Sequence, residues 1–300
     1  MRVAHPVAVP SLALFVLLAG QATAQEARDW LERMSRAVEQ LNYRGTFVHV
    51  HDGTLETLHI VHRNVPGGTG ERVLVFPDRR IVLYESRSDS PLVSALPSDA
   101  AELEPHYEIT LGGDARIAER AVQVLEIKPR DEFRYGHTLW LDQATAIPLR
   151  SDLVNEQGDV VEQILFTQIE IAAEGSDAPL EPAVDTTGFT TLRAPESTPL
   201  EGEIAWRAAA VPGGFKLSVA TQSPIEGSDT PVEHLVYSDG LATVSVFIED
   251  PATQADVREG FSTVGSTNAY STTVRGRKVT AMGEVPRQTV RTIASSLVSE

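Results

Sequence analysis

Four histidines lie close together in the sequence, so metal binding is the first chemistry to consider. They are His49, His51, His59 and His62. The dipeptide Asp52-Gly53 between them favours a two-residue hairpin turn, because both residues tolerate positive φ. In that hairpin His49 faces Glu56, and His59 faces Thr46 on the opposite side of the sheet. No three imidazoles then converge at the bond lengths of about 2 Å that zinc requires. We therefore predict no metal site and keep a pH response of the imidazoles as an alternative.

The sequence lacks the motifs of hydrolytic and nucleophilic catalysis. It has no cysteine, no G-x-S-x-G elbow and no H-E-x-x-H helix. Glycine groups at 66–70 and 111–113 lack the lysine and helix that complete a phosphate-binding loop. We interpret both as turns, the second one between strands over 107–111 and 116–127. The sequence predicts no catalytic residue and no cofactor.

Positive charge is concentrated in one segment of an acidic chain. The net charge of −17 argues against nucleic-acid binding, which depends on neutralising phosphates. The basic residues of the segment are Arg275, Arg277, Lys278, Arg287 and Arg291. Arginine makes bidentate contacts with carboxylate and phosphate. We predict a docking surface for an acidic peptide or an anionic head group; a solvated hairpin tip and helix face is the alternative.

Residues 1–24 have the three-part layout of a secretory signal peptide. A short, weakly basic start precedes an apolar stretch from Val7 to Leu18, and small residues follow at Ala22-Thr23-Ala24. The apolar stretch is shorter than the roughly 20 residues that span a bilayer. We expect residues 1–24 to be removed and the mature protein to be exported; a retained membrane anchor is the alternative.

The mature chain begins with a helical pattern and continues with strands. Over 26–42, the residues Trp30, Met34, Val38 and Leu41 recur at helical spacing. From Thr46 to Ile171, short β runs separated by turns predict a large antiparallel sheet. Runs such as 138–141 are apolar on both faces, so each face needs a cover. The helix and the segment 86–104, which we interpret as a lid, are the available covers.

Composition divides the mature chain into two domains. Residues 193–203 are rich in Pro, Glu, Ser and Thr and indicate a linker. Alternating runs follow it, and a terminal helix is predicted to open at Pro286 and to carry Val290, Ile293 and Leu297. We predict a domain over 25–192 and a smaller one over 204–300.

Several long segments resemble the MucB/RseB family, periplasmic regulators of the sigma-E envelope-stress response. In the first domain they are WLERMSRAVEQLNYRGTFVHVHDGTLETLHIVHR (30–63) and FRYGHTLWLDQATAIPLRSDLVNEQGDVVEQILFTQIEI (133–171). In the second domain they are VPGGFKL (211–217), HLVYSDGLATVSVFIE (234–249) and VRGRKVTAMGEVPRQTV (274–290). The resemblance spans nearly all of the mature chain and is weaker over 72–100.

The resemblance implies a mainly β fold. Its large N-terminal domain would be an unclosed antiparallel β-barrel with helices, similar to the lipoprotein carrier LolA, and its smaller C-terminal domain α+β. It also implies a non-catalytic role in the periplasm, binding the periplasmic domain of a RseA/MucA-type anti-sigma factor and shielding it from a site-1 protease. Lipid or lipopolysaccharide fragments would occupy an apolar cavity and release the partner.

Two sets of candidate residues follow from this resemblance. The lipid-binding candidates are Leu83, Leu92, Leu96, Leu139, Trp140 and Phe166, although apolar residues more often fill a dry core. The partner is expected at the second domain or the interdomain cleft, with Arg275, Arg277 and Lys278 as candidates. A periplasmic lipid or lipoprotein carrier is the alternative function, because fold does not fix function. A homo-oligomer is left open.

Overall fold

The computed structural model arranges the chain mainly as strands in two large sheets. The residues that it describes are 12–64, 71–86, 100–172, 184–193, 198–200, 204–223, 231–249 and 259–299. Leu92, Leu96 and most of the predicted lid lie outside them. So do residues 1–11 of the predicted signal peptide, whose removal stays a prediction.

The N-terminal sheet follows a long helix, α1 (Leu12–Gln40). Its strands are β1 (Tyr43–His51), β2 (Thr54–Arg63), β3 (Glu71–Phe76), β4 (Ile81–Ser86), β5 (Tyr107–Ile117), β6 (Arg120–Pro129), β7 (Gly136–Asp142), β8 (Pro148–Val154), β9 (Val160–Ile171) and β10 (Thr190–Arg193). The helix starts earlier than the predicted residue 26. Ala27, Leu31 and Met34 form its buried face. Within the described ranges, no helix combines the length and apolarity needed to cross a membrane.

The N-terminal sheet does not close on itself. Its strand order is β10-β4-β3-β2-β1-β9-β8-β7-β6-β5, so β10 and β5 form two separate edges. Neighbouring strands are antiparallel except β10 and β4, which are parallel. The mainly β fold with an unclosed antiparallel sheet is confirmed.

Strands β2 to β4 bury apolar side chains on both faces. On one face Leu58 and Ile60 join a large cluster that contains Tyr43, Phe47 and Phe166. On the other face a separate cluster consists of Val61, Val73, Val75 and Val82, with Val184 and Phe189 packed against it. The chain just before β10 therefore covers the face that the large cluster does not use.

The hairpin turn between β5 and β6 lies at Ala118-Glu119, and the prediction of a turn at Gly112-Gly113 is wrong. Ala118 and Glu119 adopt φ of 47° and 64°. The glycine pair lies inside β5, where the register with β6 shifts between Leu111 and Asp114. A Cβ at Gly112 would lie 3.0 Å from a side-chain carbon of Val124. Glycine is needed there for a bulge and a close approach, which leave the same sequence signal as a turn.

In the described residues of the C-terminal domain, a helix packs on a seven-stranded antiparallel sheet. Its elements are β11 (Thr198–Pro199), β12 (Trp206–Ala208), β13 (Lys216–Ser223), β14 (Val232–Ser238), β15 (Thr243–Glu249), β16 (Gly260–Val264), β17 (Thr267–Val274), β18 (Arg277–Gly283), α2 (Arg287–Ser295) and β19 (Leu297–Ser299). The sheet order is β11-β13-β14-β15-β18-β17-β16. Val290 and Ile293 of α2 are buried as predicted, whereas Leu297 belongs to β19, which pairs with β12. The α+β character is confirmed.

The chain passes from the first sheet to the second between β10 and β11. This passage falls within the predicted linker, 193–203. Residues 194–197 and 201–203 lie outside the described part of the chain. The domain boundaries therefore stay predictions.

Candidate functional site

The predicted lipid-binding residues lie in different parts of the N-terminal domain. Phe166 packs against Phe47, with ring centroids 5.6 Å apart, and Trp140 packs against the same cluster. Leu139 is buried in a second cluster beneath α1, and Leu83 is half-buried on β4. Neighbouring residues of a strand point to opposite faces, which separates Leu139 from Trp140. The structure thus groups Trp140 with Phe166 and places Leu139 and Phe166 in packed core.

A groove of about 570 Å³ lies where the end of α1 meets the N-terminal sheet. Leu41 and Ile171 line it and also pack onto the cluster that contains Phe166. Three arginines, Arg33, Arg36 and Arg120, also line it, together with Gln40, Thr145 and three alanines. We name it the α1 groove. Apolar side chains next to guanidinium groups match an acyl chain that carries an anionic head group.

The three predicted partner-binding residues all have contacts within the chain. Arg275 lies in the turn between β17 and β18, and its Nη1 donates to the carbonyl oxygen and to Oγ of Ser299, both at 2.7 Å. Lys278 Nζ lies 2.9 Å from a carboxylate oxygen of Glu249. Arg277 lies on the same hairpin and pairs with Val274. The structure brings these three residues together at one end of the C-terminal sheet.

The remaining basic residues of the segment lie elsewhere. Arg287 and Arg291 approach the ring of Phe261 on the edge strand β16, with their guanidinium carbons 5.5 and 6.0 Å from its centroid. Phe261 is 41% exposed and Val264, also on β16, is 79% exposed. The basic concentration seen in the sequence is therefore two separate groups in the fold.

The two domains meet through a buried salt bridge, which we name the ion-pair contact. Arg134 precedes β7 and Asp239 follows β14; both side chains are 0% exposed, and Nη1 lies 2.6 Å from Oδ2. The Tyr107 hydroxyl donates to the same oxygen at 3.0 Å. The other oxygen of Asp239 accepts from the backbone N–H groups of Leu241 and Ala242 at 2.9 and 2.7 Å. Burial, the charge of Asp239 and its hydrogen bond hold the pKa of Tyr107 well above its usual value. The buried charges are thus paired and hydrogen-bonded, as burial requires.

A second interdomain contact joins two carboxyl groups, and we name it the carboxyl contact. Glu162 on β9 accepts from His49 Nε2 at 3.0 Å and from the hydroxyl of Ser266, which precedes β17. That hydroxyl lies 3.3 Å from Oε1 of Glu284, the residue after β18. Burial and the neighbouring Glu162 raise the pKa of Glu284 to about 7. The hydrogen bond to Glu162 raises the pKa of His49. Glu284 therefore holds its proton to a higher pH than an exposed glutamate does, which reduces the repulsion between the two carboxyl groups.

An interdomain cleft of about 440 Å³ lies beside the carboxyl contact. Its walls come from both domains and include the apolar side chains of Leu153, Phe247 and Met282. His137 and His234 also line it. Burial lowers the pKa of His137 to about 4, so that imidazole is neutral at neutral pH. Nε2 of His234 is buried and has no hydrogen-bond partner among the described residues. The cleft offers an apolar surface with polar groups, suited to an extended peptide or an acyl chain.

Comparisons with known proteins give consistent matches over most of the chain. The MucB/RseB N-terminal domain matches residues 26–77 and 70–184, and the MucB/RseB C-terminal domain matches residues 201–298. The sigma factor AlgU regulatory protein MucB of Pseudomonas aeruginosa is 35% identical over 311 residues, which cover 96% of each chain. The sigma-E factor regulatory protein RseB of Escherichia coli is 27% identical over 293 residues, which cover 89% of each chain.

Solved structures agree with these matches. The complex of Pseudomonas aeruginosa MucA and MucB matches with a TM-score of 0.69 and 31% identity, covering 92% of this chain and 99% of that chain. MucB in complex with MucA(peri) gives a TM-score of 0.69 with 32% identity over the same shares. MucB alone gives 0.66 with 29% identity, covering 92% of this chain and 98% of that chain.

Proposed function

Because this chain belongs to the MucB/RseB family of sigma factor regulatory proteins, we propose that it is a non-catalytic negative regulator of a sigma-E-type envelope-stress response. It acts in the periplasm, where it binds the periplasmic segment of a RseA/MucA-type anti-sigma factor and shields that segment from site-1 proteolysis. The observation that carries the proposal is the similarity, over 92% of this chain, to MucB in its complex with MucA.

The partner segment binds at the interdomain cleft and at the end of the C-terminal sheet that carries Arg275. The cleft takes wall residues from both domains, so a peptide seated there is protected on two sides. Arg275 is exposed in its turn, and Arg277 and Lys278 lie beside it. Guanidinium groups at this position favour a segment that carries carboxylates.

Lipid or lipopolysaccharide fragments release the partner by binding the α1 groove. The groove has a mixed lining: Leu41 and Ile171 offer an apolar surface to an acyl chain, and Arg33 and Arg36 support binding of a phosphate head group. Arg120 is paired with Asp142. Release requires that lipid bind the partner-free protein more tightly than the complex, since otherwise no equilibrium shifts. Leu83 lies on β4 of the same N-terminal sheet. Leu139 and Phe166 are buried in the two core clusters of this domain, and Trp140 packs against the cluster that contains Phe166.

A binding assay tests partner recognition directly. The mature protein is immobilised and presented with the periplasmic segment of its organism's anti-sigma factor. We expect saturable binding, and we expect the double charge reversal Arg275→Glu with Arg277→Glu to weaken it at least about ten-fold. The matched control is Arg287→Glu with Arg291→Glu, which makes the same change of charge on helix α2, beside the edge strand β16. Absence of binding by the unchanged protein would overturn the proposal.

Protection and release are measured with the same complex. Cleavage of the segment by a site-1 protease is followed over time, with and without this protein. We expect protection, and we expect added lipopolysaccharide to abolish both binding and protection. If lipopolysaccharide leaves binding unchanged, partner recognition stands and release by lipid is wrong.

A periplasmic lipid or lipoprotein carrier is the second candidate function. The α1 groove on an unclosed sheet is the observation that favours it. A carrier would move labelled lipid between vesicles without binding the anti-sigma segment. The two functions are therefore distinguished by running the transfer and binding assays on one preparation.

A further inference from the structure

Three metal-ligating side chains lie together on one face of the first hairpin. His49 and His51 are two residues apart on β1, so they point to the same face. Glu56 on β2 is the cross-strand partner of His49, as the sequence predicted. Each of the three offers a ligand atom within 4.8 Å of the other two. The prediction of no metal site compared histidines only with one another and left out this carboxylate.

We propose that His49, His51 and Glu56 bind a divalent transition-metal ion of the Zn²⁺ type. Imidazole nitrogen and carboxylate oxygen are ligands that Zn²⁺ prefers, at about 2.0–2.2 Å. Atoms bound to one tetrahedral ion at those distances lie about 3.4 Å apart. Closing the cluster from its present spacing therefore needs side-chain adjustments of about 1 Å and no change of the strands. Three protein ligands leave the fourth position for water.

Two of the three ligands already turn a ligand atom toward each other. Nε2 of His51 lies 3.8 Å from Oε2 of Glu56. The other oxygen of Glu56, Oε1, lies 2.6 Å from Nη2 of Arg79, which fixes the carboxylate in place. Nδ1 of His51 faces the turn before β17, where a Cβ on Gly265 would lie 3.3 Å from it.

The third ligand is held by a carboxylate outside the cluster. Nε2 of His49 lies 3.0 Å from Oε1 of Glu162. Metal-bound histidines almost always donate their second ring N–H to such a group, which orients the ring and makes it a better ligand. Glu162 is itself hydrogen-bonded to Ser266 of the C-terminal domain. An ion at this site would therefore support the carboxyl contact between the domains.

The local charge also favours a cation. Glu56 and Glu162 contribute two negative charges near the site, and Arg79 contributes one positive charge. Metal binding and partner binding are separate measurements, and neither requires the other.

The test is a titration of the full mature protein, free of any affinity tag and treated with chelator, with Zn²⁺ and with Co²⁺. We expect one ion per chain by calorimetry. His51→Gln and Glu56→Gln should each weaken binding at least ten-fold. Glu162→Gln should weaken it about 10- to 100-fold, the usual effect of losing such a supporting group. Bound Co²⁺ should show the visible absorption of nitrogen and oxygen ligation.

The matched control is His59→Gln in the same hairpin. His59 lies on the opposite face, where its Nδ1 is 2.9 Å from Oγ1 of Thr46, so this variant should keep the affinity of the unchanged protein. Circular dichroism and thermal unfolding verify that each variant is folded. If one of the two ligand variants does not fold, the other still tests the site. Absence of saturable binding would overturn the proposal. So would equal affinity in the unchanged protein and both ligand variants.

Discussion

The ion-pair contact and the carboxyl contact join the same two domains by opposite electrostatic means. In the ion-pair contact Arg134 and Asp239 are opposite charges, 2.6 Å apart and fully buried. In the carboxyl contact Glu162 and Glu284 are groups of like charge linked through Ser266. The first contact is strongest when both groups are ionised, whereas the second requires one of its carboxyl groups to hold a proton. The junction between the domains therefore combines a fixed contact, whose charges attract, with an adjustable contact, whose strength depends on protonation.

This difference bears on how a bound segment or ligand could change the domain arrangement. Breaking the ion-pair contact takes from the buried Arg134 its only fully buried counter-charge among the described residues, Asp239, and leaves it the partly exposed Asp131, 3.0 Å from Nε. That loss is costly, so the ion-pair contact is the more rigid of the two. The carboxyl contact borders the interdomain cleft, since Glu284 lines that cleft. A ligand in the cleft therefore lies next to the carboxyl contact, which costs less energy to change than the ion-pair contact.

The largest effect is expected from Asp239→Ala, which removes one partner of the ion-pair contact. It leaves the buried Arg134 guanidinium with only the partly exposed carboxylate of Asp131, 3.0 Å from Nε. Removing one partner of a buried pair costs about 3–5 kcal/mol, and the remaining pairing with Asp131 places this loss at the lower end. Chemical unfolding should show a corresponding loss of unfolding free energy. Because the sequence has no cysteine, labels at Asp78→Cys and Thr273→Cys can also report the interdomain distance. We expect that distance distribution to broaden.

Asp142→Ala is the matched control for the loss at the ion-pair contact. Asp142 is a buried carboxylate that accepts hydrogen bonds from Arg120 at 2.8 and 2.9 Å within the N-terminal domain. Its loss should destabilise that domain and leave the interdomain distance unchanged. An Asp239→Ala protein with unchanged stability and distance would show that the ion-pair contact does not hold the domains together.

The next effect is a pH dependence of the carboxyl contact. The pKa of Glu284 is raised from 4.5 to about 7 by burial, by the charge of Glu162 and by their hydrogen bond, while Ser266 and His49 lower it. A raised pKa gives a stabilising contribution that is complete below about 4.5 and is lost as pH rises through about 7. The raised pKa of His49 acts in the same direction. With chelator present to keep metal ions off His49, the unfolding free energy should fall between pH 5 and 8. The slope should be at most about 1.4 kcal/mol per pH unit for each proton released.

Glu284→Gln should remove most of this pH dependence, because the amide stays uncharged throughout. Glu233→Gln is the control: burial also raises the pKa of Glu233, but that residue lies within the C-terminal domain. It should flatten the pH profile slightly without affecting the interdomain distance. A Glu284→Gln protein that keeps the slope of the unchanged protein would assign the pH dependence to other groups.

Local turn chemistry explains which features the sequence predicts well. Asp52 and Gly53 adopt φ of 47° and 69°, as the dipeptide indicates, and the pairing of His49 with Glu56 follows from that turn. Ala118-Glu119 adopts positive φ without a residue type that favours it. The sequence signal is thus reliable where the turn residues themselves prefer the conformation, and it fails where strand pairing imposes the conformation.

The two interdomain contacts are invisible to such local signals. Asp239-Gly240 is recognisable as a turn, and Asp239 does accept hydrogen bonds from the next N–H groups. Its salt bridge to Arg134 spans 105 residues of sequence, and no pattern around either residue indicates it. Glu284 likewise resembles any surface glutamate until burial raises its pKa. Long-range pairing of charges needs the fold before it can be predicted.

A smaller effect is expected from Ser266→Ala, which removes the hydroxyl shared by the two carboxyl groups. The lost hydrogen bond is worth about 1 kcal/mol. Because Glu162 keeps its hydrogen bond from His49, the carboxyl contact should weaken without separating. The midpoint of urea unfolding measures the change, and Ser271→Ala, which removes a hydroxyl bonded to Thr280 inside the C-terminal sheet, is the control. A loss as large as that of Asp239→Ala would contradict the division into a fixed and an adjustable contact.

The smallest effect is expected at an exposed salt bridge, which sets the scale for the buried one. Arg28 Nη1 lies 2.9 Å from Oε1 of Glu104, with side chains 30% and 41% exposed. It joins the same two chemical groups as Arg134 with Asp239, but both of its side chains are partly exposed. Glu104→Gln should therefore change the unfolding free energy by about 0–1 kcal/mol, and less at high salt. If this change equalled that of Asp239→Ala, burial could not be the source of the strength of the ion-pair contact, and the contrast between the two interdomain contacts would rest on charge alone.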